Sequence, residues 1–262
     1  MRIESANVVN NREIAGGIWH IEMEAPGICG EVIGPGQFIN IAVSDSWQMP
    51  LRRPMSIAGN SGATLEIIYK LFGKGTKELS EKRAGDSLNI LGPVGNTFKV
   101  DVQNGTPILV GGGVGIAPIL WLHHRLQSER IDHKLIIGAV TADEHFLDHN
   151  PREGIFLTTD DGSLGEVGTV MPTLERLTLE IDHSTVFACG PEPMLRTIRH
   201  YTNANNYACQ MALESYMACG TGLCQGCVIE LEHEDVPQNS YHEVYSLVCC
   251  DGPVYDAKEI RM

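Results

Sequence analysis

The sequence has little positive charge: 19 Lys and Arg residues stand against 33 Asp and Glu, for a formal net charge of −14. An acidic chain is poorly suited to bind polyanions, so we expect neither nucleic acid nor an anionic membrane surface as a partner. No run approaches the roughly 18 consecutive apolar residues of a membrane span. The first residues, MRIESANVVNNREIAGG, also lack the basic-then-apolar pattern of a secretory signal. These absences predict a cytoplasmic protein with no membrane segment.

The chain is long enough to bury more than one hydrophobic core. It has 262 residues, 43% of them hydrophobic and 20% charged, and at about 150 residues per domain this length suggests about two domains. Thiols stay reduced in the cytoplasm, so the eight cysteines indicate a metal site more readily than disulfides. The ten histidines show no ligand spacing, and the sequence contains no internal repeat.

Residues 1–100 predict an antiparallel β barrel or sandwich. Short strand-like runs alternate there with turns that contain Gly and Pro, a rhythm typical of such folds. Examples are GQFINIAV, RRPMSIAG, TLEIIYKLFG and SLNILGPVG. Only KGTKELSEKRAG has the composition of a helix in this part of the chain.

Residues 101–213 predict an α/β domain with a doubly wound parallel sheet, because buried strands alternate with amphipathic helices. The predicted strands are PILVGG, HKLIIGAV, GIFLTTDD and STVFACG, and the predicted helices are APILWLHHRLQSER, MPTLERLTLEI and PEPMLRTIRHYTNAN. The remaining residues, 214–262, form a short third segment that contains five of the eight cysteines.

Three cysteines of this last segment have a spacing that indicates iron. Cys219, Cys224 and Cys227 form C-x4-C-x2-C, as in plant-type [2Fe–2S] proteins, whose fourth cysteine comes from far downstream. The alternative is a structural zinc site, which typically uses two C-x2-C knuckles. Only one such knuckle is present, which favours the [2Fe–2S] cluster.

The surrounding residues fit a chain that wraps closely round a cluster. Gly220, Gly222 and Gly226 allow unusual backbone dihedrals and a close approach of the backbone to the metal. The fourth ligand is either Cys249 or Cys250. Neighbouring side chains cannot easily both face one cluster, and the residues alone leave the choice open.

The stretch LVGGGVGIAP, residues 109–118, is a candidate nucleotide site. A buried strand runs into glycines, and a helix then opens with Pro118, which suits a first helical turn. Backbone amides and the helix N-terminus of such a turn can bind a pyrophosphate. The alternative is a tight turn that only packs helix against strand. The glycines are Gly111, Gly112, Gly113 and Gly115.

Two later strand ends strengthen the nucleotide interpretation. TTDDGS, which contains Asp160, and ACGPEPM, which contains Cys189 and Gly190, both follow predicted parallel strands. The carboxyl edge of such a sheet is where these folds bind ligands. We expect Cys189 to line a nicotinamide pocket rather than act as a nucleophile; a buried packing cysteine is the alternative.

The loop after HKLIIGAV predicts NAD rather than NADP. It contains Asp143 and Glu144 and no nearby Arg or Lys that could bind a 2′-phosphate. A solvated acidic loop is the alternative.

The strand RRPMSI, residues 52–57, is a candidate phosphate-binding site. Arg53 and Ser56 offer a guanidinium and a hydroxyl to a phosphate, and Arg can bind one bidentately. Gly75 and Thr76 offer further donors from the next turn. Alone, an Arg on a barrel strand is more often a solvated charge.

The order of the three sites along the chain, with the RRPMSI strand in a barrel before the glycine turn of an α/β domain, resembles the ferredoxin–NADP reductase superfamily. The added cysteine segment resembles that of the electron-transfer subunits of NAD-dependent dihydroorotate dehydrogenases. The superfamily's flavin motif is Arg, any residue, an aromatic, then Ser or Thr; Met55 replaces the aromatic here, as in the dihydroorotate branch. In that branch a cysteine stands two residues before DGPV, which implies Cys249 as the fourth ligand. The FAD contacts implied are Arg53, Pro54, Met55, Ser56, Ile68, Tyr69, Lys70, Gly75 and Thr76.

The resemblance implies a function in pyrimidine biosynthesis. Electrons would pass from the FMN of a catalytic partner subunit through [2Fe–2S] and FAD to NAD+, in a heterotetramer of two plus two chains. The partner would supply the pyrimidine site, and Leu223 near the cluster would face it. The alternatives are another reductase subunit, such as an NADH-dependent ferredoxin–NADP oxidoreductase or a sulfide dehydrogenase, and a zinc-bearing interaction protein.

Overall fold

The structure is a computed structural model that describes residues 1–44, 46–101, 105–232 and 240–262. Its first part is a closed barrel of six antiparallel strands, in the spatial order β1-β2-β5-β4-β3-β6, which confirms the predicted antiparallel barrel. The strands are β1 (Arg2–Ala15), β2 (Ile18–Glu24), β3 (Phe38–Ala42), β4 (Arg53–Ser61), β5 (Thr64–Lys70) and β6 (Ser87–Val94).

Alternation of side chains builds the barrel core. In β5, Leu65, Ile67 and Tyr69 are buried inside, whereas the residues between them are half-buried on the outer face, as the period of a strand requires. The expectation of uniformly short strands is wrong for β1, which has 14 residues. Two register shifts against β2 bend this long strand round the barrel.

Two short helices accompany the barrel: α1 (Pro26–Cys29) and α2 (Lys74–Ser80). The predicted helix in KGTKELSEKRAG is therefore only seven residues long. Its N-terminal turn is closed by the Thr76 hydroxyl, which accepts hydrogen bonds from the N–H groups of Phe72 at 2.9 Å and Gly73 at 3.1 Å.

The second part is a seven-stranded sheet in the order β10-β9-β8-β7-β11-β12-β15. All pairs from β10 to β12 are parallel, and only the edge strand β15 is antiparallel. The strands are β7 (Thr106–Gly112), β8 (Lys134–Ala139), β9 (Ile155–Thr159), β10 (Glu166–Val167), β11 (Ser184–Cys189), β12 (Ala208–Ala212) and β15 (Val254–Asp256), and the helices are α3 (Ile116–Ser128), α4 (Val170–Glu180) and α5 (Glu192–Ala204).

Helices cover both faces of this sheet, which confirms the doubly wound architecture. On one face, Leu109 of β7 shares a core with Ile119 of α3. On the other face, Val110 shares a core with Leu174 of α4 and Leu195 of α5. Helix α3 also packs against β4 and β5 of the barrel, so the barrel lies on the α3 side. In the part of the chain that the structure describes, no helix is both long and apolar enough to cross a membrane.

The cysteine-rich segment is attached to both other parts. Its strands β13 (Val228–Leu231), β14 (Tyr245–Leu247) and β16 (Ile260–Arg261) form a small sheet beside helix α6 (Tyr241–Val244), while β15 extends the edge of the large sheet. The Asn96 side chain, at the end of the barrel, donates to the carbonyls of Asp251 at 2.9 Å and Val254 at 2.8 Å. The segment therefore cannot shift independently of either neighbour.

The turn between β7 and α3 depends on close contact with the end of β11. A Cβ added at Gly115 would lie 2.4 Å from Cys189 C and Gly190 N, where backbone cannot yield easily. We therefore predict that Gly115→Ala lowers the free energy of unfolding by about 1–3 kcal/mol, measured as a lower urea midpoint. Gly73→Ala is the matched control, because its methyl group would meet no atom within 4 Å. Equal midpoints for the two variants would contradict this account.

Candidate functional site

The cysteine loop places its four predicted ligands in two pairs. Cys219 and Cys224 lie in the loop before β13, and the backbone N–H of Cys224 donates to Cys219 Sγ at 3.3 Å. Cys227 and Cys249 are both buried, with 2% and 1% of their surface exposed, and the side chain of each affects the pKa of the other. Among the described residues, no three His, Cys, Asp or Glu side chains are grouped as they would be around a single metal ion.

Two of these four sulfurs, those of Cys219 and Cys224, accept hydrogen bonds from the backbone. Besides the bond from Cys224, Cys219 Sγ accepts the N–H of Thr221 at 3.4 Å. Cys224 Sγ accepts that of Gly226, also at 3.4 Å. The N–H of Cys249 near the Cys227 sulfur, and the N–H of Gly222 near the Cys249 sulfur, oppose the effect of burial on the pKa values of these two thiols. Hydrogen bonds to the sulfurs are what a cluster of thiolate ligands requires.

The pKa values of these thiols differ with their surroundings. Burial raises the pKa of Cys219, but the backbone N–H groups of Thr221 and Cys224 outweigh it and lower the value to about 6. Burial raises the pKa of Cys227 to about 11 and also raises that of Cys249. Cys227 and Cys249 are therefore thiols until a cation replaces their protons, as bound metal ions do.

The loop conformation requires left-handed backbone at three positions. Gly220 has φ +66° and Gly222 has φ +83°, in agreement with the predicted use of glycine. The third position is Gln225, with φ +56°, and not Gly226. At Gly226 a Cβ would make only an ordinary contact, 3.6 Å from Cys224 Sγ, so the polypeptide itself does not require glycine there.

Cys249 and Cys250 face different environments. Cys249 belongs to the hydrophobic core that also contains Cys227, whereas Cys250 is exposed. Their sulfurs are 3.6 Å apart. The backbone therefore directs only the first of the two side chains toward the other buried cysteine.

The second candidate site, on β4 and β5, divides by strand face. Pro54 and Ser56 lie opposite Asn40 and Phe38 of β3 and share the outer face of the barrel with them. Met55, on the opposite side of β4, packs against the barrel core. Its side chain thus points away from the face that carries Ser56.

The same division applies to the three predicted residues of β5. Tyr69 is buried in the barrel, and its hydroxyl donates to Asn11 Oδ1 at 3.0 Å. Ile68 packs against the core under α3, and Lys70 Nζ donates to Glu144 Oε1 at 2.7 Å. Ile68 and Lys70 therefore face the α/β domain, whereas Tyr69 does not.

Arg53 and Gly75 lie together, as the resemblance implies. A Cβ at Gly75 would be 2.6 Å from Arg53 Nε, so the guanidinium lies across the start of α2. The Thr76 hydroxyl in this turn is already bonded to the N–H groups of Phe72 and Gly73. Its first role is to close the turn.

The third candidate site lies at the carboxyl edge of the parallel sheet. Strands β8 to β10 lie on one side of β7, and the next strand in sequence, β11, lies on its other side. The direction in which strands are added therefore reverses between β7 and β11, and the ends of these two strands form the switch point where such sheets bind ligands. Gly111 and Gly112 end β7, Gly113 has φ +54°, and a Cβ at Gly190 would lie 3.0 Å from Gly112 O. The glycine turn and the ACGPEPM segment are thus in direct contact.

The remaining predicted residues differ in their distance from this point. Helix α3 begins at Ile116, one residue before the predicted run APILWLHHRLQSER, so Pro118 lies inside its first turn. Asp160 is exposed at the end of β9, two strands from β7. Cys189 is buried at the end of β11, and burial, followed by the charge of Glu214, raises its pKa.

The acidic loop after β8 contacts the barrel. The carbonyl of Asp143 accepts the Gly16 N–H at 2.6 Å, and Glu144 accepts from Lys70. A residue predicted to contact FAD and a residue predicted to select NAD are therefore joined by an ion pair.

Two residues near the site were not identified from the sequence. Glu214 follows β12, next to the end of β11. The residue is exposed, but neighbouring protein atoms partly desolvate its carboxylate, and this raises its pKa. Asn40 is a buried amide on β3 beside the cysteine loop. The only sequence signal that could have identified Asn40 is a polar residue within the apolar run FINIAV. For Glu214, the signal is a carboxylate directly after a buried strand.

The chain is similar along its whole length to known proteins. A family model of the iron–sulfur cluster binding domain of dihydroorotate dehydrogenase B matches residues 214–261. The chain is 36% identical over 258 residues to the dihydroorotate dehydrogenase B (NAD+) electron transfer subunit of Caldanaerobacter subterraneus subsp. tengcongensis, with 97% of each chain covered. It is 34% identical over 269 residues to the subunit of the same name from Bacillus velezensis, with 100% of both covered.

Solved structures share the fold. The structure of an NADH-dependent reduced ferredoxin–NADP oxidoreductase matches 98% of this chain and 89% of its own, with a TM-score of 0.82 and 25% identity. Phthalate dioxygenase reductase matches 94% of both chains, with a TM-score of 0.65 and 18% identity. The full-length identity to the curated relatives goes further than fold: the chain belongs to the family of dihydroorotate dehydrogenase B (NAD+) electron transfer subunits.

Proposed function

We propose that this chain transfers electrons between a dihydroorotate-oxidising partner subunit and NAD+ in pyrimidine biosynthesis. The partner, with FMN, would oxidise dihydroorotate, and this chain would hold a [2Fe–2S] cluster, FAD and NAD+. The observation that carries the proposal is the pair of cysteine sulfurs, Cys219 and Cys224, that accept backbone N–H groups beside the buried pair Cys227 and Cys249, in a chain that matches this family from end to end.

The residues of the cysteine loop would hold the cluster as two pairs of ligands. Cys219 and Cys224 would bind one iron, and Cys227 and Cys249 the other. Their backbone N–H donors are already directed at the sulfurs, so the loop needs no rearrangement to stabilise thiolate charge. When bound, the flavin and the cluster supply the conversion between a two-electron hydride and single electrons.

The outer face of β4 and β5 would hold FAD. Arg53 would bind a phosphate of the cofactor from its place over Gly75, and Ser56 would offer its hydroxyl from the same face as Pro54. Ile68 and Lys70 face the same cleft between barrel and sheet, whereas Met55 and Tyr69 would support it from the barrel core. Thr76 would keep the α2 turn in shape.

The glycine turn after β7 would bind the pyrophosphate of NAD. Gly113 gives the turn its left-handed backbone, and Gly111, Gly112 and Gly115 allow neighbouring atoms to pack closely against it at the switch point, where bound nucleotides lie in such sheets. Cys189 and Gly190 would form the floor beside the nicotinamide, and the carboxylate of Glu214 lies close to Cys189. Asp160 would border the site from β9.

The three parts would correspond to a flavin domain at residues 1–100, a nucleotide domain at 101–213 and a cluster segment at 214–262. The cluster loop also presents apolar surface to solvent: Leu223 is 86% exposed and Tyr216 is 98% exposed. These side chains would contact the FMN subunit in a heterotetramer of two plus two chains, because electrons must cross between subunits near the cluster.

A second candidate function has one observation in its favour. The NADH-dependent reduced ferredoxin–NADP oxidoreductase has the same fold over 98% of this chain, and a ferredoxin-linked reductase would use the same sites with a different partner. The choice between the two is made by co-purifying this chain with its natural partner and assaying NADH oxidation. We expect turnover with orotate as acceptor; turnover with ferredoxin and never with orotate would contradict the proposal.

The fourth cluster ligand is tested by matched cysteine variants. We predict that Cys249→Ala loses most of the iron and acid-labile sulfide, because its buried sulfur completes the pair with Cys227. Cys250→Ala should retain both, because the side chain of Cys250 is exposed. Iron and sulfide assays on anaerobically purified protein measure this. A cluster lost from the Cys250 variant and kept by the Cys249 variant would reverse the assignment.

The acidic loop after β8 gives a prediction for cofactor choice. Asp143 and Glu144 would repel a 2′-phosphate, so kcat/KM should favour NADH over NADPH by about tenfold or more, since like charges brought together cost several kcal/mol. The variant Asp143→Asn should reduce this preference, whereas Glu144 is left unchanged because it is paired with Lys70, a residue proposed to contact FAD. Asp182→Asn is the control, because Asp182 precedes β11 at the opposite edge of the sheet. Equal kcat/KM for both nucleotides in the native chain would refute NAD selection.

A further inference from the structure

Asn40 carries a buried hydrogen-bond donor without a partner. The residue is 3% exposed, and its Nδ2 has no acceptor within the described part of the chain. A buried donor left unsatisfied costs about 1–3 kcal/mol, and such groups in native proteins call for an explanation. An amide in this position is expected to have a partner that the described residues do not supply.

The alternation of β3 shows where this amide points. Ile39 and Ile41 lie in the barrel core. Phe38, on the other face, belongs to the core that contains Cys227 and Cys249. Because Asn40 is two residues from Phe38, it shares that outer face and lies toward the cysteine segment.

Contact with the cysteine loop confirms that the Asn40 side chain points toward the cysteine segment. A Cβ at Gly220 would be 2.1 Å from Asn40 Nδ2, so the amide touches the loop at the residue next to Cys219. Gly220 also has φ +66°, which glycine adopts readily. Arg52 Nη1 donates to the carbonyl of Asn40 at 3.2 Å and to that of Asn89 at 3.0 Å, which holds the backbone of β3 in place.

We propose that Asn40 Nδ2 donates a hydrogen bond to an anionic sulfur of the iron–sulfur cluster, either the thiolate of Cys219 or an inorganic sulfide. The proposal rests on the proposed cluster. The donor stabilises negative charge on sulfur, and the reduced cluster carries one more negative charge than the oxidised one. The bond therefore favours the reduced form and raises the reduction potential.

The position of Asn40 also places this donor beside the strand proposed to hold FAD. Asn40 lies directly opposite Pro54 of β4, in the middle of the motif Arg53 to Ser56. The side chain thus fills the space between the flavin strand and the cluster loop. A change at this position alters the cluster without altering any of the residues proposed to bind FAD.

The test is a redox titration of the complete complex, followed by electron paramagnetic resonance. Asn40→Leu removes the donor at similar volume, and Asn40→Asp replaces it with a negative charge. Both variants should keep the native iron and sulfide content, show an altered cluster spectrum, and be about tenfold harder to reduce, which for one electron is about 59 mV. Asn60→Leu is the control, since the amide of Asn60 already donates to Cys29 O at 3.1 Å and its loss should leave the cluster unchanged.

The outcomes separate this inference from the proposed function. A cluster potential and spectrum that are native in both Asn40 variants would overturn the hydrogen bond. A shift of the flavin potential alone would overturn it too, by making FAD the acceptor. If the leucine variant assembles no cluster, the aspartate isostere provides the same measurement. Native protein without iron would instead refute the proposed function.

Discussion

The burial of Cys227 and Cys249 in a shared core is the constraint on which the rest of the structure depends. That core also contains Phe38 of the barrel and Val186 of the parallel sheet, so the two sulfurs sit where three parts of the chain meet. A buried thiolate is costly without a compensating cation and hydrogen bonds. The chain supplies the hydrogen bonds from its own backbone, and this requires a loop fixed in one conformation. Strand β15 and the Asn96 side chain fix it, because they join the segment to the sheet and to the barrel.

Much of this organisation can be predicted from local sequence. The spacing of Cys219, Cys224 and Cys227 predicts the cluster loop because ligand spacing is a property of a short segment. The period of two in β5 predicts a barrel strand, and the change to helical periodicity after residue 105 predicts the second domain. The choice of Cys249 over Cys250 as fourth ligand does not follow from spacing. It requires either the resemblance to the dihydroorotate branch or the observed burial of the Cys249 side chain.

The contacts that sequence reasoning missed join residues far apart in the chain. Lys70 and Glu144 are 74 residues apart, and Asn40 and Gly220 are still further apart in sequence. Nothing in the neighbourhood of either residue encodes such a partner, because both contacts exist only after the barrel docks on the sheet and on the cysteine segment. The length of β1 was missed for a related reason: its bulges depend on pairing with β2, not on turn residues within the strand.

The order of strands in the barrel corresponds to the proposed order of cofactors. The proposed flavin strand β4 lies between β5 and β3. On one side, β5 carries Lys70, which bonds to the acidic loop of the nucleotide domain. On the other side, β3 carries Asn40, which touches the cysteine loop. Three adjacent antiparallel strands are about 4.8 Å apart, so the spacing of a sheet brings nucleotide, flavin and cluster sites side by side. In the proposed arrangement, strand order in the barrel would therefore set the sequence of electron carriers, and the two flanking polar side chains would tie each neighbouring site to the flavin strand.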